Sequence, residues 1–334
     1  MFAGRKRLLV GAAAALAVAT IAGCSSSGGS AAESSAAGSA PAAGGVSTPK
    51  YTFAMVTHAP PGDAFWDVIQ EGAKDAAAIY NVDFKYSGSI EIPEQVNFIQ
   101  NAVDSKVDGL AISMPNAAAL GPEIKKASDA GIPVVIFNAG EKDWQETGAL
   151  AFYGEPEVLA GEFSGTQLNE LGAKHALCVI QSQGQQQLED RCDGLTSKFS
   201  GKVDKLYAEG TDVPTYVSTI NATLQTDPSI DAVVTLGPGL GVAVADAVKQ
   251  NGGTQKVVTY AFNPDVVKRL QDGSIAFTID QQPWLQGFMS IDSLWQYKFN
   301  NSVLGAQQSI ATGPVVVDKD NIDTIIPFID QNKR

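Results

Sequence analysis

Four short segments concentrate residue types that recognise a polar organic molecule. The first is His58-Ala59-Pro60-Pro61-Gly62-Asp63-Ala64-Phe65-Trp66. A buried helix face takes residues three or four apart, so Phe65 and Trp66, roughly 100° apart on a helix, do not serve one core stripe. A ring turned toward a cleft would cover the C–H face of a sugar, with Asp63 taking its hydroxyls. The competing arrangement keeps one ring in the core and the other at a lobe contact. His58, at a strand end, is placed to face the same cleft. In Phe137-Asn138-Ala139-Gly140-Glu141, Asn138 carries a donor and an acceptor together, which suits vicinal hydroxyls. Arg191, within Glu189-Asp190-Arg191-Cys192-Asp193-Gly194, has five fixed donors and no acceptor, a fork for ring and hydroxyl oxygens. It serves equally as a surface ion-pair partner of Asp190 or Asp193. Finally, Asp280-Gln281-Gln282-Pro283-Trp284 sets consecutive amides at a strand-to-helix junction, a polar patch at a cleft rim.

Signals for catalysis are weak by comparison. Leu236-Gly237-Pro238-Gly239-Leu240-Gly241 nearly forms a dinucleotide fingerprint, but Val242 holds the third glycine position and no acidic residue closes the next strand. A tight turn beside the cleft accounts for it, and no cofactor is expected. There is no Gly-x-Ser-x-Gly elbow and no His-Glu-x-x-His pair. His58 and His175 read as hydrogen-bonded structural residues rather than bases. The two histidines lack metal-ligand spacing with the cysteines, so neither a metal site nor an enzyme is expected.

The elements that must position these segments alternate between strand and helix. Strands are expected at Tyr51–Thr57, Val82–Ser87, Gly109–Ser113 and Pro133–Phe137, with helices at Asp63–Tyr80, Pro93–Lys106 and Ala117–Ala130 between them. Runs that are apolar on both faces, such as Pro133–Phe137, fit parallel sheets covered by helices on both sides. A second series begins near residue 149. Its strands are Leu150–Tyr153, Ala176–Gln181, Lys205–Glu209, Ala232–Leu236, Val257–Ala261 and Ile275–Ile279. Its helices are Pro156–Leu171, Gln186–Phe199, Thr215–Thr226, Gly239–Asn251, Asp265–Asp272 and Trp284–Asn300. Gly172, Gly201, Gly252 and Gly273 stand at or past helix ends, where a left-handed cap is expected. The fold class is therefore α/β: two doubly wound parallel-sheet lobes facing across a cleft. Ligands bind such sheets beyond the carboxyl ends of the strands.

The N-terminal region supplies an address. Arg5, Lys6 and Arg7 precede an uncharged, Ala-rich stretch from Leu8 to Ala22, followed by Gly23 and Cys24. That is a secretory signal, and its end resembles the lipobox of bacterial lipoproteins, in which the cysteine is lipidated. Residues 8–22, read instead as an uncleaved anchor, fall short of the roughly 20 needed to span a bilayer. Residues 24–49, rich in Ser, Gly, Ala and Pro, read as a flexible tether. The net charge is −13; residues 1–49 hold three basic groups and one acidic, leaving 20 basic against 35 acidic residues beyond them. A body so acidic disfavours nucleic acid and anionic headgroups as partners. With Cys24 lipidated, Cys178 and Cys192 remain; in an oxidising compartment they can pair, and otherwise they stay buried thiols.

Across about residues 50–325 the chain resembles the sugar-binding solute receptors of bacterial ABC importers, periplasmic-binding-protein-like proteins of the ribose-binding type, here in lipoprotein form. The resemblance rests on Thr57-His58, Gly62-Asp63 and Phe65-Trp66, Gly131-Ile132-Pro133-Val134, Arg191-Cys192-Asp193-Gly194, Ile279-Asp280-Gln281-Gln282-Pro283, and Thr312-Gly313-Pro314. It implies a type I periplasmic-binding-protein-like fold whose lobes are joined by three crossovers, near 138–150, 280–283 and 311–315. The organisation implied is a signal at 1–23, a tether at 24–49 and a binding domain at 50–330. Lobe 1 takes about 50–140 plus 283–312, and lobe 2 about 150–280 plus 314–330. By position, Asp63 is a polar ligand contact, Phe65 and Trp66 are sugar-stacking rings, Asn138 binds hydroxyls, Arg191 is the ligand arginine, and Gln281 lies near the hinge. Gly237, Ala261 and Ala139 depart from the ribose pattern, which points to another monosaccharide or a sugar alcohol. The expected protein is a monomeric, extracytoplasmic receptor held to the cell membrane only by lipid on Cys24. It delivers a small neutral sugar or polyol to a permease driven by a cytoplasmic ATPase. A sensor presenting a sugar-like signal molecule is the alternative. Replacing Arg191 by Ala is expected to abolish the ligand response with little effect on the unliganded fold.

Overall fold

Phe53 to Val56 are almost wholly buried and form the centre of strand β1 (Thr52–Thr57), around which the first sheet grows. The computed structural model describes residues 49–208 and 212–334; the signal, Cys24 and nearly all of the tether lie outside the described residues. After β1 come α1 (Ala64–Tyr80), β2 (Asp83–Gly88), α2 (Ile92–Asp104), β3 (Gly109–Ile112), α3 (Ala117–Asp129), β4 (Val134–Phe137) and β5 (Phe152–Gly154). Strands β3 and β4 are buried along their whole length, as a sheet with helices on both faces requires. The chain then builds α4 (Glu157–Glu170), β6 (His175–Ile180), α5 (Gln186–Lys198), β7 (Lys202–Tyr207) and α6 (Val213–Thr226). It continues through β8 (Ala232–Thr235), α7 (Pro238–Gln250), β9 (Lys256–Tyr260), α8 (Pro264–Gln271) and β10 (Phe277–Asp280). Helix α9 (Pro283–Asn300) returns to pack on α1, and β11 (Ile310–Ala311) and β12 (Val315–Val317) finish the sheets.

The strand orders are β11-β5-β4-β3-β1-β2 and β12-β10-β9-β8-β6-β7. These are the same winding used twice, so β4 corresponds to β9, and the residue after one to the residue after the other. Pairing is parallel throughout except between β10 and β12. Apolar clusters cover both faces of each sheet. Among the described residues no helix is long and apolar enough to cross a membrane.

Three expectations are corrected. The strand expected at Leu150–Tyr153 belongs to the first sheet: Ile136 pairs with Phe152, and Phe137 with Tyr153. Lobe 1 therefore runs to Gly154 rather than 140, and the first crossover is at 155–156, not 138–150. Tyr153 is fully buried against lobe 1, its hydroxyl 2.5 Å from Ser293 Oγ, which is why the strand stays there. The other crossovers lie where expected, between β10 and α9 and between β11 and β12. The strand expected at Lys205–Glu209 instead begins at Lys202, in register with His175. Gly201 just before it is not a left-handed cap. A Cβ there would strike the Lys174 carbonyl, so close approach demands this glycine. Gly172, Gly252 and Gly273 do take positive φ, at 72°, 66° and 77°.

Candidate functional site

The carboxyl ends of β1 and β4 supply the lobe 1 wall of a cleft. After β1, His58 donates its backbone N–H to Ser113 Oγ at 3.0 Å, and its Nδ1 lies 2.8 Å from the same hydroxyl. Burial, then the nearby Arg191 charge, lowers its pKa from 6.5 to about 3, so the ring is neutral at ordinary pH. Trp66 meets His58 edge-on at 4.6 Å and Phe65 at 5.3 Å. Trp66 is also part of the lobe 1 core, whereas Phe65 is only partly buried. Asp63 caps α1, one carboxylate oxygen accepting the Phe65 N–H at 2.9 Å. Burial raises its pKa. After β4, Asn138 sits at φ 63°, a left-handed corner that Asn tolerates better than most residues. Its Nδ2 donates to Gln281 Oε1 and Gln286 Oε1, both at 3.1 Å. Gln286 Nε2 donates in turn to Thr312 Oγ1 at 3.1 Å, linking lobe 1 to the second and third crossovers.

Lobe 2 contributes Arg191 from α5. This helix is pinned to the buried strand β6 by a Cys178–Cys192 disulfide, with Cα atoms 5.9 Å apart. It also lies hard against α4: a Cβ on Gly161 would strike the Arg191 carbonyl, and one on Gly194 the Val158 carbonyl. Arg191 is buried and turned away from Asp190 and Asp193. Its Nε donates to Glu157 Oε2 at 2.5 Å, Nη2 to Glu157 Oε1 at 3.1 Å and Nη1 to the Leu236 carbonyl at 3.3 Å. Its guanidinium carbon lies 4.6 Å from the centre of the Tyr260 ring. Asp190 instead pairs with Lys142 of lobe 1 at 2.6 Å, and Gln187 Nε2 approaches His58 Nε2 at 3.5 Å, so the two lobes touch at the cleft mouth. The expectation that Arg191 can be removed at little cost to the fold is overturned. Its loss strands a buried carboxylate, which is costly.

These walls enclose a cavity of about 360 Å³, within the range of small-molecule sites. His58, Asp63, Phe65, Trp66, Asn138, Arg191 and Gln281 all line it. So do Gly237 and Pro238: the glycine-rich segment is not a tight turn but the start of α7 at the cleft, with Gly237 as the N-cap. Gly241 there lets α7 pack on β8 and β9, since a Cβ would strike the Thr259 and Thr235 side chains. Sequence reasoning missed Gln181, Gln185, Gln187 and Tyr260, which also line the cavity. A run of amides just after β6 was the readable signal, of the same kind as Gln281-Gln282. Gln181 Oε1 is buried with no hydrogen-bond donor among the described residues. Glu155 and Glu157, which hold Arg191, carried no local signal at all.

Two other features do not compete. A groove of about 580 Å³ along α6 and α7 is larger but has no aromatic residue in its lining among the described residues. His175, Asp204 and Asp227 form a cluster of metal-ligand types. Within it His175 already bonds Asp204 and Ser229, each at 2.8 Å, and Lys202 holds the same Asp204 oxygen at 2.6 Å.

Residues 53–301 match the family model described as periplasmic binding protein domain. The fold is similar to that of a solved carbohydrate transporter from Acidothermus cellulolyticus 11B in complex with myo-inositol. That likeness has 45% identity and a TM-score of 0.83 over 86% of this chain and 100% of that one. A solute-binding protein of an ABC transporter from Burkholderia graminis C4D1M, solved with D-arabinose, is 25% identical, with a TM-score of 0.73 over 81% and 96% of the two chains. The xylose/arabinose-binding protein of Sulfolobus acidocaldarius is 25% identical over 82% of this chain and 72% of that protein. Two parallel-sheet lobes, three crossovers and a polar, ring-walled cavity between them thus coincide with a match over most of the chain: it belongs to the periplasmic binding protein domain family.

Proposed function

We propose that the protein is an extracytoplasmic solute receptor of an ABC importer, anchored by lipid on Cys24 and a tether over 24–49. It captures a small neutral polyol, a monosaccharide or a sugar alcohol, and hands it unchanged to a permease. The observation that carries this reading is the lining of the interlobe cavity. Rings at Phe65, Trp66 and Tyr260 stand beside hydroxyl-binding groups at Asp63, Asn138, Arg191 and Gln281. The Arg191 charge is matched by Glu157, which favours an uncharged guest. Ring-shaped polyols are the first candidates, because the 45% identical relative was solved with myo-inositol.

A thermal-shift panel of inositols, pentoses, hexoses and linear polyols tests the reading. A ligand present at about 100 times its Kd stabilises by about 2.7 kcal/mol. No shift with any of them would count decisively against this function. Membrane fractionation of a Cys24→Ala variant tests the anchor separately: the variant should appear in the soluble extracytoplasmic fraction.

A further inference from the structure

Glu155 and Glu157 flank Pro156 in the first crossover, and both side chains are buried. One cation, the Arg191 guanidinium, reaches both carboxyl groups, 2.5 Å from Glu157 and 3.6 Å from Glu155, and two carboxyls that share one buried cation can meet each other only with a proton between them. Arg191 does not treat the two alike. It holds Glu157 through two N–H donors, while its nearest nitrogen stands 3.6 Å from Glu155. No other donor among the described residues reaches either Glu155 oxygen. The one further buried acid nearby, Asp280, is matched by Arg334 Nε at 2.6 Å. The hinge core therefore holds one more acid than its cations can neutralise. Glu155 faces Glu157 on its own crossover, Arg191 on α5, Tyr260 on β9, and Asp280 with Arg334 at the second crossover. Beside it runs the third crossover, where a Cβ on Gly313 would lie 3.2 Å from Glu155 Oε1.

We propose that Glu155 is a neutral carboxylic acid donating its proton to the Glu157 carboxylate, and that this pair is the positioning element that aims Arg191 into the cleft from the hinge. The proposal rests on the reading that Arg191 meets the ligand. Glu157 supplies the counter-charge and fixes the plane of the guanidinium. Glu155 holds Glu157 in place without adding a second buried charge. Because the pair sits where the lobes join, the arginine fork stays in register with the hinge rather than with the surface of α5. Burial, then the Glu157 charge, pushes the Glu155 carboxyl well above the usual range, in keeping with this geometry.

The test compares Glu155→Ala, Glu155→Gln and Glu157→Gln in the whole protein, with myo-inositol as the probe in calorimetry. Glu155→Ala should weaken binding about tenfold, and Glu155→Gln, whose amide N–H replaces the acid O–H, should recover it to within about threefold. Glu157→Gln, which removes the ion-pair partner, should weaken binding by at least about thirtyfold. A second arm needs no ligand: melting of the unliganded protein between about pH 5 and pH 8.5. Native Glu155 keeps its proton at pH values where the unfolded chain has lost it, so stability falls as pH rises through that window. Glu155→Gln should remove that contribution and flatten the slope. If Glu155→Gln binds as poorly as Glu155→Ala and the slope persists, Glu155 is ionised and the proposal fails. If the wild type binds no polyol, the functional reading fails, and the ligand-free arm still decides the state of Glu155.

Discussion

Asn138 and Ala261 occupy the same corner of the two lobes, one residue beyond β4 and one beyond β9, and both have φ 63°. Lobe 1 places there a side chain that tolerates the left-handed conformation and reaches Gln281 and Gln286. Lobe 2 places a methyl group there, with the backbone strain unrelieved and nothing polar to offer. The two walls of the cleft are correspondingly unlike. Lobe 1 lines the cavity from strand ends, with Asp63, Phe65 and Trp66 at the start of α1 after β1 and Asn138 just after β4. Lobe 2 lines it largely from α5 and the loop before it, with amides and one arginine held by acids 34 and 36 residues away in sequence. The winding repeats, and the recognition chemistry does not. On the proposed reading, selectivity among polyols should therefore reside mainly in lobe 2, which holds two of the three departures from the ribose pattern, Gly237 and Ala261, against Ala139 in lobe 1.

Breaking lobe 2 should produce the largest effects. Arg191→Ala leaves Glu157 buried without its cation, so it should cost about 3–5 kcal/mol in denaturant unfolding as well as abolish the ligand-induced shift. A loss of ligand response with an unchanged unfolding curve would show that α5 does not depend on that pair. Next in size is the Cys178–Cys192 bridge, which closes a loop of 14 residues. Replacing both cysteines by Ser should cost about 3 kcal/mol in the chain-entropy model. Hydrogen exchange should loosen in β6 and α5 and stay unchanged in β1 and α1; equal loosening in both lobes would show that the bridge stabilises the whole binding domain rather than lobe 2.

The corner pair itself gives a smaller and more discriminating result. Asn138→Ala takes a donor from two buried amide oxygens, leaving Gln281 Oε1 only the longer bond from Gln286 Nε2, and should cost about 1–3 kcal/mol. Ala261→Asn puts a residue suited to the left-handed region where Ala is strained, so unfolding should be unchanged or up to about 1 kcal/mol less favourable. It should also re-rank the polyols in a binding panel. An unaltered ranking would move selectivity away from this corner. Smallest of all is Lys142→Ala, which removes the ion pair to Asp190 across the cleft mouth. Lys142 is 54% exposed, so the loss should stay within about 1 kcal/mol of binding energy and vanish at high salt. A larger, salt-independent loss would make Lys142 a ligand contact.

Much of the positioning was legible because parallel α/β winding brings the segments after successive strands to one edge of each sheet. Recognising strand ends therefore sufficed to gather His58, Asp63, Phe65, Trp66, Asn138 and Gln281 at one cavity. The crossover after Gly154 was misread because Phe152–Gly154 is short and apolar in either lobe. Only the free edge of β4 and the Tyr153 partner Ser293 decide its side.

Local pattern by itself determined the two-lobed α/β architecture, the helix and strand succession, and the polar-aromatic character of the strand-end loops. Each follows from periodicity, capping and composition within a few neighbouring residues. Tertiary structure alone decided the partners of the charged groups. It gave Arg191 to Glu157 rather than Asp190 or Asp193, Asp190 to Lys142, and Asn138 to amides 143 and 148 residues away. The physical reason is burial. On an exposed helix Arg191 would take the nearest acid, but inside the hinge the cost of desolvation selects whichever carboxylate can meet its donors in full.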